Sequence, residues 1–262
     1  MRSEEQAAGI LIAKALPGVR VHYQEEQANG ECDFLIGPES NPAPMEVTRA
    51  TSGDYRALHR AILGRDGNAN SVQRPEGSVA WFVELSHDAD IARVRRDIHR
   101  YLVNLETQGT TEFTVASAAE DASAILEIWR DLRVAGGFRL DPPSQSIVVL
   151  GVPSDSARLH PEQVLEAVER EARKEDNVRK LSRPGMANGH LFVILDFFAY
   201  PAVEAMRVGP LPQAFPDVAD VISDVWVARE PSAGTSYMLW HASRASGWTD
   251  FGAHDIAQRG AV

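Results

Sequence analysis

The chain has 262 residues, a formal net charge of -11, 44% hydrophobic and 24% charged residues, and one cysteine. That composition supports a sizeable core and excludes a disordered chain. A single cysteine, Cys32, rules out intrachain disulfides and a cysteine-built zinc site, while the acidic balance confines any nucleic-acid contact to a local basic patch.

Ser3 to Leu16 reads as a helix, with Ser3 as its N-cap and Glu4 and Glu5 in the first turn. Pro17-Gly18 ends it. Val19–Tyr23 is a short strand and 24–30 a polar turn. Glu31–Ile36 is a second strand, with Asp33 and Leu35 opposite in face to Phe34 and Ile36. A proline-containing turn over 37–44 leads to a third strand, Met45–Ala50, which carries Glu46 and Thr48 on one face and Met45 and Val47 on the other. Helix, strand, strand, strand is the clearest local order in the chain.

Tyr55–Leu63 reads as a helix, 65–77 as a loop and Val79–Leu85 as a buried strand. Asp88 or Asp90 caps a helix reaching about Glu106. Ala116–Leu132 is a further helix and Ser146–Val152 a strand. His160-Pro161 opens a long charged helix to about Leu181. Leu191–Phe197 is a strong strand, and Val221–Val227 and Tyr237–His241 are later ones. Alternating helices and apolar strands point to one α/β domain over 1–262 with a mixed sheet, a helical insertion near 86–145, and the remaining core and C-terminal layer over 146–255. No apolar run approaches the roughly 20 residues that cross a bilayer, and none follows the N-terminal Met-Arg-Ser-Glu-Glu, so a cytoplasmic protein is expected.

Two acids on neighbouring strands, Asp33 and Glu46, can meet across the hairpin. Such a pair suits a hard divalent cation, Mg²⁺ or Mn²⁺, with the Val47 carbonyl beside it. Helix acid, strand acid, then acid-x-polar resembles the PD-(D/E)XK, restriction-endonuclease-like nuclease superfamily. Residues 3–50 carry that resemblance, and the rest is similar to bacterial, especially actinobacterial, proteins of no firm activity that join such a core to a comparable C-terminal half. The resemblance implies an αβββαβ core with helices flanking a mixed sheet, plus a C-terminal elaboration. It implies a Mg²⁺- or Mn²⁺-dependent endonuclease that hydrolyses DNA or RNA phosphodiesters. Position by position, it makes Asp33 the motif aspartate, Glu46 the second acid, and Glu5 (with Glu4 as the alternative) the first-helix acid. Thr48 stands where the family has its lysine, and it brings no positive charge.

In some family members the lysine sits on a neighbouring helix. Lys180 is the candidate here, against the plainer expectation of a solvated helix face. Arg49 points to the wrong face of its strand. Arg93, Arg96 and Arg100 share one helix face and could hold phosphates, helped by Arg56 and Arg60; a solvated face paired with acids is the commoner outcome. Trp226, Trp240 and Trp248 are expected to pack a C-terminal layer rather than to stack on bases. Because Thr48 lacks a charge, a second expectation stands beside the nuclease. It is a catalytically inactive nuclease-fold subunit that binds nucleic acid or a protein partner, for instance in phage defence. A homodimer is a further expectation. A third is an unrelated α/β protein whose strand acids only discourage edge aggregation.

Overall fold

A computed structural model of the protein describes residues 1–24, 31–63, 70–76, 78–115, 123–140, 147–151, 160–182, 188–231 and 236–256. In chain order the elements are α1 (Ser3–Ala15), β1 (Val21–Tyr23), β2 (Phe34–Ile36), β3 (Ala43–Ala50), α2 (Gly53–Leu63), β4 (Ser71–Gln73), β5 (Trp81–Leu85), α3 (Ile91–Thr107), β6 (Glu112–Thr114) and α4 (Ser123–Leu132). They continue with β7 (Val134–Arg139), β8 (Ile147–Gly151), α5 (Glu162–Ala172), α6 (Glu175–Leu181), β9 (Gly189–Leu195), α7 (Tyr200–Val208), β10 (Ile222–Arg229), β11 (Ser236–Ser243) and β12 (Gly247–Asp255). Among the described residues, no helix is long and apolar enough to cross a membrane.

The α/β class holds. The chain divides into two compact units, Met1–Thr51 with Leu159–Val262, and Ser52–Arg158. The second unit contains the stretch expected as a helical insertion at 86–145. It is not purely helical, because β4 to β8 form their own five-stranded sheet, in the order β4-β8-β5-β7-β6. Apolar side chains of α2, α3 and α4 (Leu58, Ile98, Ile128) pack on Trp81, Val83 and Val148 of that sheet. The loop expected over 65–77 contains β4, and the part of the helix expected over 116–122 lies outside the described residues.

The first unit is built on a seven-stranded sheet, β1-β2-β3-β9-β10-β11-β12. β1, β2 and β3 form an antiparallel meander, β3, β9 and β10 run parallel, and β10, β11 and β12 return to antiparallel. β9, Gly-His-Leu-Phe-Val-Ile-Leu, is central and apolar from Leu191 to Leu195, as a strand covered on both faces must be. Its Leu191, Val193 and Leu195 join Val164, Val168, Ala202 and Met206 from α5 and α7. Its Phe192 and Ile194 face the other way, onto Leu11 and Ile12 of α1.

This alternation places the acids. Glu46 lies beside Leu191 and Thr48 beside Val193 in the parallel β3–β9 register, so both face the α5 and α6 side. The long helix expected over 161–181 is broken: α5 stops at Ala172, and Lys174 adopts extended backbone before α6. At the break the Glu171 carbonyl accepts from the Lys174 N–H at 3.2 Å, and the buried Asn177 side-chain amide adds a second bond to it at 2.9 Å. Lys180 thereby gains its own short helix against β3.

Candidate active site

Asp33 immediately precedes β2 and is 2% exposed; Glu46, in mid β3, is also 2% exposed. The Val47 N–H donates to Asp33 Oδ2 at 2.7 Å, which ties the two strands together at the site. The structure thus uses Val47 through its N–H; a role for its carbonyl remains an expectation.

Lys180 reaches the pair from α6. Its Nζ lies 2.7 Å from Glu46 Oε1 and 3.5 Å from Asp176 Oδ2, and its side chain is 13% exposed. The solvated-face alternative is therefore set aside for Lys180. The other carboxylate oxygen, Glu46 Oε2, is buried with no hydrogen-bond partner among the described residues.

The electrostatics follow from burial. Burial first, and then the neighbouring Asp33 charge, push the Glu46 carboxyl up from 4.5 to about 7, against the pull of Lys180. Asp33 is also raised, by burial above all, although the Val47 N–H works the other way. Burial alone would lower the Lys180 ammonium, but the hydrogen bond and charge of Glu46 hold it above its usual value. The pair is lopsided: the buried carboxylate carries the desolvation penalty, and the ammonium nearer the rim takes the benefit.

Glu5 is 2% exposed, and its carboxylate is committed. It accepts from the Arg2 backbone N–H at 2.7 Å, from the Arg2 guanidinium, and from the Tyr23 hydroxyl at 3.0 Å. Burial opposes ionisation, yet these donors hold Glu5 below the usual carboxylate range. Arg2, not Ser3, occupies the cap position, and its Nη2 also lies 3.4 Å from Asp33 Oδ1. The first-helix acid is thus linked to the pair through Arg2. Glu4 lies 3.3 Å from Arg49, which also pairs with Glu230 at 3.2 Å, away from the Glu46 face.

One residue was missed. Glu171 of α5 is 2% exposed and accepts a hydrogen bond from Thr48 Oγ1 at 2.6 Å, and Lys174 also reaches the same carboxylate oxygen. The signal was present in sequence: Val164, Ala167, Val168 and Glu171 follow the i, i+3, i+4, i+7 stripe that a helix turns to its core. A glutamate in that stripe needs a partner.

Comparison with protein families, with curated proteins and with solved structures finds no match. Among the described residues no group of three or more His, Cys, Asp or Glu side chains is arranged to hold a metal ion. Two carboxylates, one with an orphaned buried oxygen, still fit a hard cation that keeps most of its waters.

Arg93, Arg96 and Arg100 lie elsewhere, on α3 in the unit Ser52–Arg158. They are exposed. Arg93 and Arg96 lie 3.9 and 3.0 Å from Asp97, and Arg100 donates to the Tyr101 hydroxyl at 2.8 Å. Trp226 and Trp240 are buried in the two cores, and the Trp248 indole donates to the Ala214 carbonyl.

Proposed function

We propose that the unit formed by residues 1–51 and 159–262 is a divalent-cation-dependent hydrolase of nucleic-acid phosphodiesters, of the restriction-endonuclease-like kind, with its lysine carried on a helix. The observation that carries the proposal is Lys180 Nζ at 2.7 Å from Glu46 Oε1, beside Asp33 and an unpartnered Glu46 Oε2. The strand acids and a lysine meet, although 134 residues separate Lys180 from Glu46.

In the reaction a water oxygen adds to phosphorus, one P–O ester bond breaks, the water loses a proton, and the leaving oxygen gains one. Asp33 and Glu46 would hold Mg²⁺ or Mn²⁺. The bound cation would polarise the phosphodiester and acidify a coordinated water. Lys180 holds a positive charge where phosphate charge grows, and the burial of its partners strengthens that effect. The Val47 N–H and Arg2 keep Asp33 oriented.

A second reading, a binding subunit without chemistry, is favoured by Thr48, which leaves the strand position uncharged. One experiment separates the two. Mn²⁺ and Mg²⁺ binding is measured by calorimetry on the wild type and on Asp33→Asn/Glu46→Gln, followed by cleavage assays on single- and double-stranded DNA and RNA. Binding lost in the double variant, with cleavage by the wild type, supports the hydrolase. Cation binding or nucleic-acid binding without cleavage supports the subunit, and neither binding nor cleavage by a folded wild type sinks both.

A further inference from the structure

Thr48 stands two residues after Glu46 on the same strand face. A threonine hydroxyl has one proton and two lone pairs, and an ionised carboxylate can only accept. At 2.6 Å from Glu171 Oε2, the hydroxyl must therefore donate its single proton to Glu171. Every further partner of Thr48 Oγ1 then has to be a donor. A phosphate oxygen is excluded, whereas a water molecule fits.

Glu171 is built for this task. Its side chain is 3% exposed, on a helix that packs against β3 and β9. Lys174, three residues on, neutralises it, so that holding the hydroxyl adds no uncompensated negative charge beside a polyanionic substrate. Asn177 fixes the end of the same helix through the Glu171 carbonyl.

We propose that Glu171 is a positioning residue: it fixes Thr48 as an obligate hydrogen-bond acceptor for the attacking water, so that this strand position holds the nucleophile and not the phosphate. This rests on the hydrolase reading above. Lys180 and Thr48 then divide between them what one strand lysine would do, with charge from the helix and water orientation from the strand.

The test uses the full-length protein with Mn²⁺ and bis(p-nitrophenyl) phosphate. The p-nitrophenolate departs without needing a proton, so the rate reports on the water side. Thr48→Val and Glu171→Met are each expected to lower kcat on the order of 10–100-fold. KM should stay within about 3-fold, and the double variant should be no slower than Thr48→Val alone. Thr48→Ser should retain most of the activity. Mn²⁺ binding by calorimetry should be unchanged in all four. NMR of threonine-labelled protein should show a slowly exchanging Thr48 hydroxyl proton in the wild type that Glu171→Met abolishes.

Multiplicative losses in the double variant overturn the proposal, as does a fully active Thr48→Val or a hydroxyl signal indifferent to Glu171→Met. In those cases wild-type cleavage and Mn²⁺ binding leave the hydrolase reading standing. A wild type that neither binds Mn²⁺ through Asp33 and Glu46 nor cleaves overturns the hydrolase reading, and this inference with it. Both substitutions are near-isosteric; if Glu171→Met fails to fold, Thr48→Val still decides.

Discussion

Replacing Glu46 by glutamine is expected to stabilise the protein at neutral and alkaline pH and to do little at acid pH. The Glu46 carboxyl is raised from 4.5 to about 7, so the folded state binds its proton more tightly than the unfolded chain does. Its contribution is fully present below 4.5 and is lost as the pH rises through about 7. At about 1.36 kcal/mol per decade of proton activity, the loss saturates near 3 kcal/mol above neutral pH. Glutamine keeps the volume and an oxygen for the Lys180 ammonium but gives up the charge attraction. Lys180 retains Asp176 at 3.5 Å. The net gain at about pH 8 should therefore be about 1–3 kcal/mol. Urea unfolding in EDTA, followed by tryptophan fluorescence at several pH values, measures it, since Trp226 and Trp240 are buried in this unit. Asp33 is raised as well, so the two carboxyls titrate together, and Asp33→Asn should flatten part of the same slope. A difference between wild type and Glu46→Gln that is equal at about pH 5 and pH 8 would refute the reasoning.

Three further outcomes are expected. Lys180→Met removes the cation beside a buried carboxylate; it should cost about 2 kcal/mol more at pH 8 than at pH 5, where Glu46 can take up a proton. It should also abolish cleavage while sparing Mn²⁺ binding, and a pH-independent cost measured by denaturation would contradict this. Gly189→Ala puts a Cβ 2.8 Å from the Val221 carbonyl oxygen and 3.3 Å from Leu181 Cβ, beside Lys180. It should destabilise by about 1–3 kcal/mol in calorimetry, and an unchanged Tm counts against the packing described. Trp226→Phe removes the indole N–H that His190 Nδ1 accepts at 3.2 Å. Burial holds the His190 imidazole below 6.5, with Asp224 3.9 Å away. Freeing Nδ1 to be protonated should raise that pKa in an NMR titration, and no rise means the indole plays no part.

The α1 to β3 run was legible because each element announced itself locally: a capped acidic first turn, a Pro-Gly stop, and alternating strands on which Asp33 and Glu46 could be assigned to faces. Lys180 was legible only as a candidate, since a helix charged on all sides does not reveal which charge is turned inward. The break at 173–174 was hidden for the same reason, and the Asn177 bond to a carbonyl six residues back, which accompanies it, follows no helical spacing. β7 was missed because Val-Ala-Gly-Gly-Phe-Arg looks like a turn. Its Gly137 is there for space, with a Cβ falling 2.8 Å from the Phe82 carbonyl oxygen and 3.0 Å from the Phe113 ring. β12 was missed because it bends at Gly252, held at φ +75°, next to the register shift between Leu239 and Trp240. The second sheet went unread because its strands are short and separated by helices.

The interruption of the first unit by Ser52–Arg158 bears on how the protein is made. Translation delivers Glu5, Asp33 and Glu46 well before Lys180, Glu171 and β9, the strand that β3 pairs with. Until the ribosome has passed Leu195, the early half has an open edge at β3, and before Lys180 is made Glu46 has no counter-charge. The intervening unit has its own sheet and core and can fold meanwhile. Its completion converts a long floppy separation into a compact one, and the late strand then arrives at a waiting edge. Folding of the acid-bearing unit thus waits on β9, and a nascent chain truncated before β9 should display that edge to chaperones or to other copies.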